Sequence, residues 1–130
     1  MSTGAIKFGA SSQGLAFVYV SDRERALGFY RDTLGLAVVA SDPYGDYLQL
    51  PGALLRLTVI PDLAPHAHPV LGFDVPDLAA TAATMRQAGI DFDIFEGLGQ
   101  DAEGVWTSPD GGKIAFFKDL DGNALMLSQR

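Results

Sequence analysis

A chain of 130 residues, 48% apolar and 19% charged, has the size and composition of a single soluble domain with a full core of its own. Sixteen acidic residues against nine basic ones leave a net charge of −7, which excludes nucleic acid and an anionic membrane as partners, because both call for a positive face. With no cysteine there is neither a disulfide nor a thiolate site, and no apolar run resembles a membrane span or a secretory signal, so the expected compartment is the cytoplasm.

Residues 1–14 are small, polar and rich in Gly and Ser, and read as a flexible arm. Leu15–Val20 follows as a β-branched and aromatic strand. Ser21-Asp22-Arg23-Glu24 then has the form of a capping box, with Ser as cap and Glu three residues on. Ala26, Leu27, Phe29, Tyr30 and Leu34 recur at helical spacing, and Gly35 ends the helix. Strands are expected near Leu36–Ala40, Tyr47–Leu50 and Ala53–Ile60, separated by Asp42-Pro43-Tyr44-Gly45 and Pro51-Gly52 as turns. A Pro-rich linker at 62–69 divides the chain, and the pattern then repeats. Val70–Val75 is a strand, and Pro76-Asp77 opens a helix whose buried stripe is Leu78, Ala82 and Met85, up to Gly89. Further strands are expected near Asp91–Phe95, Gly104–Ser108, Gly112–Lys118 and Ala124–Ser128, the last two joined across Asp121-Gly122.

The halves superimpose at an offset of about 55 residues, with Val20-x-Asp22 matching Val75-x-Asp77 and Gly35-Leu36 matching Gly89-Ile90. The fold class is therefore α+β: two tandem βαβββ modules, 15–61 and 70–130, in one structural domain, forming a curved mixed sheet around a cleft. Strand alternation assigns the cleft wall: Leu15, Phe17 and Tyr19; Leu54, Arg56 and Thr58; Val70, Gly72 and Asp74; Ile114, Phe116 and Lys118; Ala124, Met126 and Ser128. Trp106 belongs to the same hollow or its rim. Arg56, flanked by leucines, requires a carboxylate from the protein or from a ligand, and Asp74 has the right parity to supply it. Six acids and no Lys or Arg fall between Gln87 and Gly112, as either a solvated face or a rim that draws in a cationic ligand.

The run from Phe17 to Leu36, with its Phe-Tyr-Arg-Asp-x-Leu-Gly core, strongly resembles the opening of the vicinal oxygen chelate superfamily. Ile114 to Asn123 resembles its closing hairpin, with Leu120 where Pro is usual. The superfamily includes glyoxalase I, extradiol dioxygenases, and fosfomycin and bleomycin resistance proteins, and the resemblance implies the glyoxalase/bleomycin resistance fold. It also implies four metal-ligand positions, normally His, Gln or Glu, which fall here on Leu15, Arg56, Val70 and Met126. Hydrocarbon, guanidinium and thioether cannot serve a hard or borderline cation, so the positions read as degenerate and no metal or cofactor is expected. A two-residue slip would bring Gln13 and His68 into ligand positions, and His66-x-His68 could bind a metal alone; neither supplies a full donor set. Gly97-x-Gly99 lacks the rest of a dinucleotide loop, and Asp119-x-Asp121-Gly122 lacks the last Glu of a calcium loop.

The expectation is a metal-independent binding protein, similar in mode of action to the acidic, homodimeric bleomycin resistance proteins. It would hold a planar, amphoteric or cationic small molecule on Phe17, Tyr19, Leu54, Arg56, Asp74, Trp106, Phe116 and Met126, with no catalytic residue. The alternatives are a glyoxalase- or dioxygenase-type enzyme with a non-standard site, Asp74 or Tyr19 beside Arg56 acting as acid or base, and a partner-binding module with a closed cleft.

Overall fold

Val18 and Val20 on one strand and Leu55 and Leu57 on another form the first layer of the core, and those two strands lie side by side and parallel. They are β1 (Gly14–Val20) and β4 (Ala53–Val59) in the computed structural model, which describes residues 4–130. With β2 (Val38–Asp42) and β3 (Gly45–Leu50) they make a sheet of order β1-β4-β3-β2. The second half repeats it: β5 (Leu71–Asp74), β6 (Val105–Thr107), β7 (Lys113–Lys118) and β8 (Ala124–Gln129), in the order β5-β8-β7-β6. In each sheet the first and last strands are parallel and the rest antiparallel, the expected pair of βαβββ modules.

The arm predicted over 1–14 lies partly outside the described residues; residues 4–13 carry no strand or helix and are exposed. No helix among the described residues is long and apolar enough to cross a membrane.

Each module carries one helix. In the first, α1 (Arg23–Leu27) widens into a π-helical turn over Gly28–Thr33, with Leu34 N–H reaching back five residues to Phe29 O at 2.9 Å. The capping box does not form. Asp22 is the cap, accepting from Arg25 N at 3.1 Å, because Ser21 is engaged elsewhere: its backbone N–H and hydroxyl both donate to Asp121 in the other module. In the second module, Asp77 caps α2 (Leu78–Gln87) through Ala80 N.

The strand expected near Asp91–Phe95 is also absent, leaving only a bridge from Asp93 to Phe116. The side-chain amide of Gln100 takes the place of a neighbouring strand, accepting from Phe95 N and donating to Asp93 O and Gly104 O. With its polar groups satisfied in this way, the segment runs as a loop.

One cluster of buried side chains spans both modules, with Leu48, Leu55 and Tyr30 meeting Leu78, Phe117 and Leu125. A clasp of hydrogen bonds joins them. Tyr30, 0% exposed, donates its hydroxyl to Asp119 at 2.7 Å. Asp119 also accepts from the backbone of Asp121 and Asn123 and from the Asn123 side chain, which in turn donates to Tyr19 O at 2.9 Å. Burial, reinforced by the Asp119 carboxylate, pushes the Tyr30 phenol far above its ordinary range. The two sequence runs that carry the family resemblance therefore meet each other, and their polar residues fasten the modules together.

Candidate functional site

Alternation along the strands fixes what faces the concave side. In the first sheet Phe17, Arg56 and Tyr47 are register partners across β1, β4 and β3, and they form one row. Arg56 is only 7% exposed, so its charge must be matched inside the protein. Its guanidinium grips Asp42 with two bonds of 2.9 and 3.0 Å, donates through Nε to Thr58 Oγ1 at 3.0 Å, and lies 4.8 Å from the centre of the Tyr47 ring. Asp42 stands at the end of β2, where the tight turn to β3 also gives it the backbone N–H groups of Tyr44 and Gly45. Arg56 first, and these N–H groups with it, hold the Asp42 carboxyl below its usual range.

The partner of Arg56 is thus Asp42 and not Asp74. Asp74 lies in the other sheet, bound to Ser128 Oγ at 2.9 Å and to Arg130 Nε at 3.0 Å. The acid–base grouping of Asp74 with Arg56 is not assembled, since Arg56 donates to Asp42 and Thr58 and Asp74 lies in the other sheet. Asp42 was visible in the sequence only as the first residue of a turn, and Tyr47 only as a strand residue.

The equivalent row of the second sheet is Gly72, Met126 and Phe116. A Cβ on Gly72 would stand 3.0 Å from Met126 Cγ, so glycine makes room for the thioether. The Phe116 ring meets Phe95 edge-on at 5.7 Å. Trp106 is half-buried on β6, opposite Ile114.

Two hollows open on this side. One, of about 290 Å³, lies between Phe17, Tyr19 and Val70 and the linker residues Leu63–His66. The other, of about 480 Å³, is walled by Phe95, Leu98, Phe116 and Ala124, with His68 and the Lys118–Asp93 ion pair (2.8 Å) at its edge. Phe17 and Tyr19 remain 55% and 48% exposed, with Leu15 and Val70 also open to solvent. Of the predicted residues, Phe17 and Tyr19 come together at the first hollow and Phe116 lies at the second; Leu54, Arg56, Asp74, Trp106 and Met126 line neither. Phe95 and Leu98 were missed because the segment that carries them reads as a strand followed by a glycine loop.

The four positions where the family resemblance implies metal ligands hold two exposed aliphatic side chains, Leu15 and Val70, the half-buried thioether of Met126, and the paired guanidinium of Arg56. That donor set does not fit a divalent cation. Gln13, the residue a two-residue slip would offer, accepts from Gln49, and His66 and His68 are exposed on the linker. Among the described residues no three His, Asp or Glu side chains gather as a metal cluster.

The comparisons with known proteins bear on the fold and the family. Uncharacterized protein YetH of Bacillus subtilis is 27% identical over 125 residues, covering 89% of this chain and 96% of that protein. The crystal structure of TnmS3, an antibiotic binding protein from Streptomyces sp. CB03234, is 29% identical with a TM-score of 0.68, covering 95% of this chain and 98% of that one. A lactoylglutathione lyase from Agrobacterium tumefaciens shares the fold at 18% identity and a TM-score of 0.69, covering 92% of this chain and 93% of its own. The model of the Glyoxalase/Bleomycin resistance protein/Dioxygenase superfamily matches residues 12–127, and the chain belongs to that superfamily.

Proposed function

We propose that this protein binds a small molecule without a metal, sequestering a planar, cationic or amphoteric compound against the concave face of its sheets, and that it does so as a homodimer. The observation that carries the reading is the half-exposed aromatic row of Phe17 and Tyr19 beside an open hollow. A contiguous patch of exposed apolar side chains, here Phe17, Tyr19 and Val70 around one hollow, marks an interaction surface. A planar ligand stacking on them could reach micromolar affinity from a few anchors. Arg56, already paired with Asp42, asks for no anionic group on the ligand, and the net charge of −7 favours a cationic one. The likeness to TnmS3, named an antibiotic binding protein, supports the same reading.

Three measurements on the purified protein test it. Thermal shift against planar cationic compounds, bleomycin-type drugs among them, should raise the melting temperature, and Phe17→Ser should abolish the rise. Elemental analysis should find metal well below one equivalent; a full equivalent of Ni, Zn, Mn or Fe would overturn the metal-independent reading. Light scattering should give twice the mass of the chain.

A further inference from the structure

A second groove lies on the other side of the second sheet, between α2 and the end of the first module's helix. Its inner part, about 250 Å³, is bounded by Leu34 of the first module and by Phe73, Val75, Met85, Phe117 and Leu127 of the second. Those strand residues have the opposite parity to Gly72, Asp74, Phe116 and Met126, so this chamber is separate from the concave hollows. No charged side chain lines it. Three threonine hydroxyls lie on its wall: those of Thr33 and Thr84 already donate to Gly28 O and Ala80 O, Thr81 adds the third, and the rest of the surface is hydrocarbon.

Thr33, Ala88 and Ile90 border both the chamber and an outer hollow of about 380 Å³, so the two adjoin, and Asp93 and Lys118 lie between that outer hollow and the larger concave one. Four charged side chains line the outer part: Arg25, Lys118, Asp91 and Asp93. Lys118 and Asp93 neutralise each other at 2.8 Å. That leaves one cation, Arg25, and one anion, Asp91, and among the described residues neither side chain has a hydrogen-bond or ion-pair partner.

An apolar chamber adjoining a hollow with one exposed, unpaired charge of each sign is complementary to a molecule with a hydrocarbon body and a zwitterionic head. We infer that this groove is a second ligand site, and that it takes a free α-amino acid with an apolar side chain: side chain in the chamber, carboxylate toward Arg25, ammonium toward Asp91. A dry cavity of about 150 Å³ already holds benzene, so a phenyl or branched alkyl group is within the chamber's capacity. Because Thr33 and Leu34 come from the first module and α2 from the second, an occupant would bridge the two. The inference does not depend on the concave-face reading.

Calorimetric titration of the intact protein with L-phenylalanine tests it, beside phenethylamine and 3-phenylpropionate, which each keep only one charge. The expected result is saturable one-to-one binding of the amino acid, with each analogue about tenfold weaker or more. Arg25→Gln and Asp91→Asn should each weaken it by a similar factor without lowering the melting temperature of the free protein. Ala88→Trp, which fills the groove, should abolish it, and Phe17→Ser on the concave face should leave it unchanged. No saturable binding of phenylalanine, leucine or tryptophan would overturn the proposal. So would analogues that bind as tightly as the amino acid, or binding that survives Ala88→Trp.

Discussion

The two sheets share a blueprint and differ in what they place at its centre. Phe17, Arg56 and Tyr47 occupy the same register positions in the first sheet as Gly72, Met126 and Phe116 in the second. In the first, a buried cation is matched by a carboxylate and an aromatic face, and the edge strand keeps its aromatic side chains in water. In the second, a flexible thioether lies in the space a glycine leaves, and a loop brings Phe95 over Phe116. The backbone pattern tolerates both solutions, since each satisfies its own polar groups and fills its own volume. Duplication conserves the frame and leaves the chemistry of each concave face to its own side chains.

Asp42→Ala should break the comparison most severely. It leaves the Arg56 guanidinium buried without a carboxylate, and removing one partner of such a pair costs far more than replacing both. Chemical denaturation should show the largest loss of the series, and Arg56→Met in the same background, which makes the first row resemble the second, should restore most of it. The same pair predicts acid sensitivity. Asp42 has its pKa depressed in the folded state, so its contribution is present above the ordinary aspartate range and disappears as pH falls through the folded value. Melting temperature against pH should therefore decline less steeply below about pH 4 in the double variant than in the wild type.

Tyr30→Phe comes next. It takes one hydrogen bond from a buried carboxylate and should cost about 2 kcal/mol, read from denaturant midpoints. The phenol is raised in the folded state, so its stabilisation holds below about pH 10, the unfolded value, and is lost as pH climbs beyond it. The variant should lose that part of the alkaline transition. Gly72→Ala is the mildest, about 1 kcal/mol, because Met126 is flexible enough to yield. Adding Met126→Leu, with its branched and stiffer side chain, should enlarge the loss.

The modules, their order and most of their strands were legible in the sequence because the signals were local: alternation, turn residues, and a repeat that states the pattern twice. The alternation of Val18 and Val20 against Phe17 and Tyr19 was enough to divide inside from outside on β1. What escaped was set by partners distant in the chain. Ser21 has the spacing of a helix cap, yet Asp121, one hundred residues away, claims it. Asp91–Phe95 has the composition of a strand, but Gln100 supplies its hydrogen bonds. Parity offered Asp74 to Arg56 without showing that the two belong to different sheets, and the residue that does pair with it looked like nothing more than the start of a turn.

The clasp around Asp119 has a consequence for the covalent chain. Tyr30, Asp119, Asn123 and Tyr19 O hold the modules together through bonds that use no linker residue, and linker residues 64–69 are all exposed. A peptide bond cut there would leave every strand pairing and the clasp intact. The halves, expressed as separate polypeptides, should reconstitute one particle when mixed, and Asp119→Ala should keep them apart.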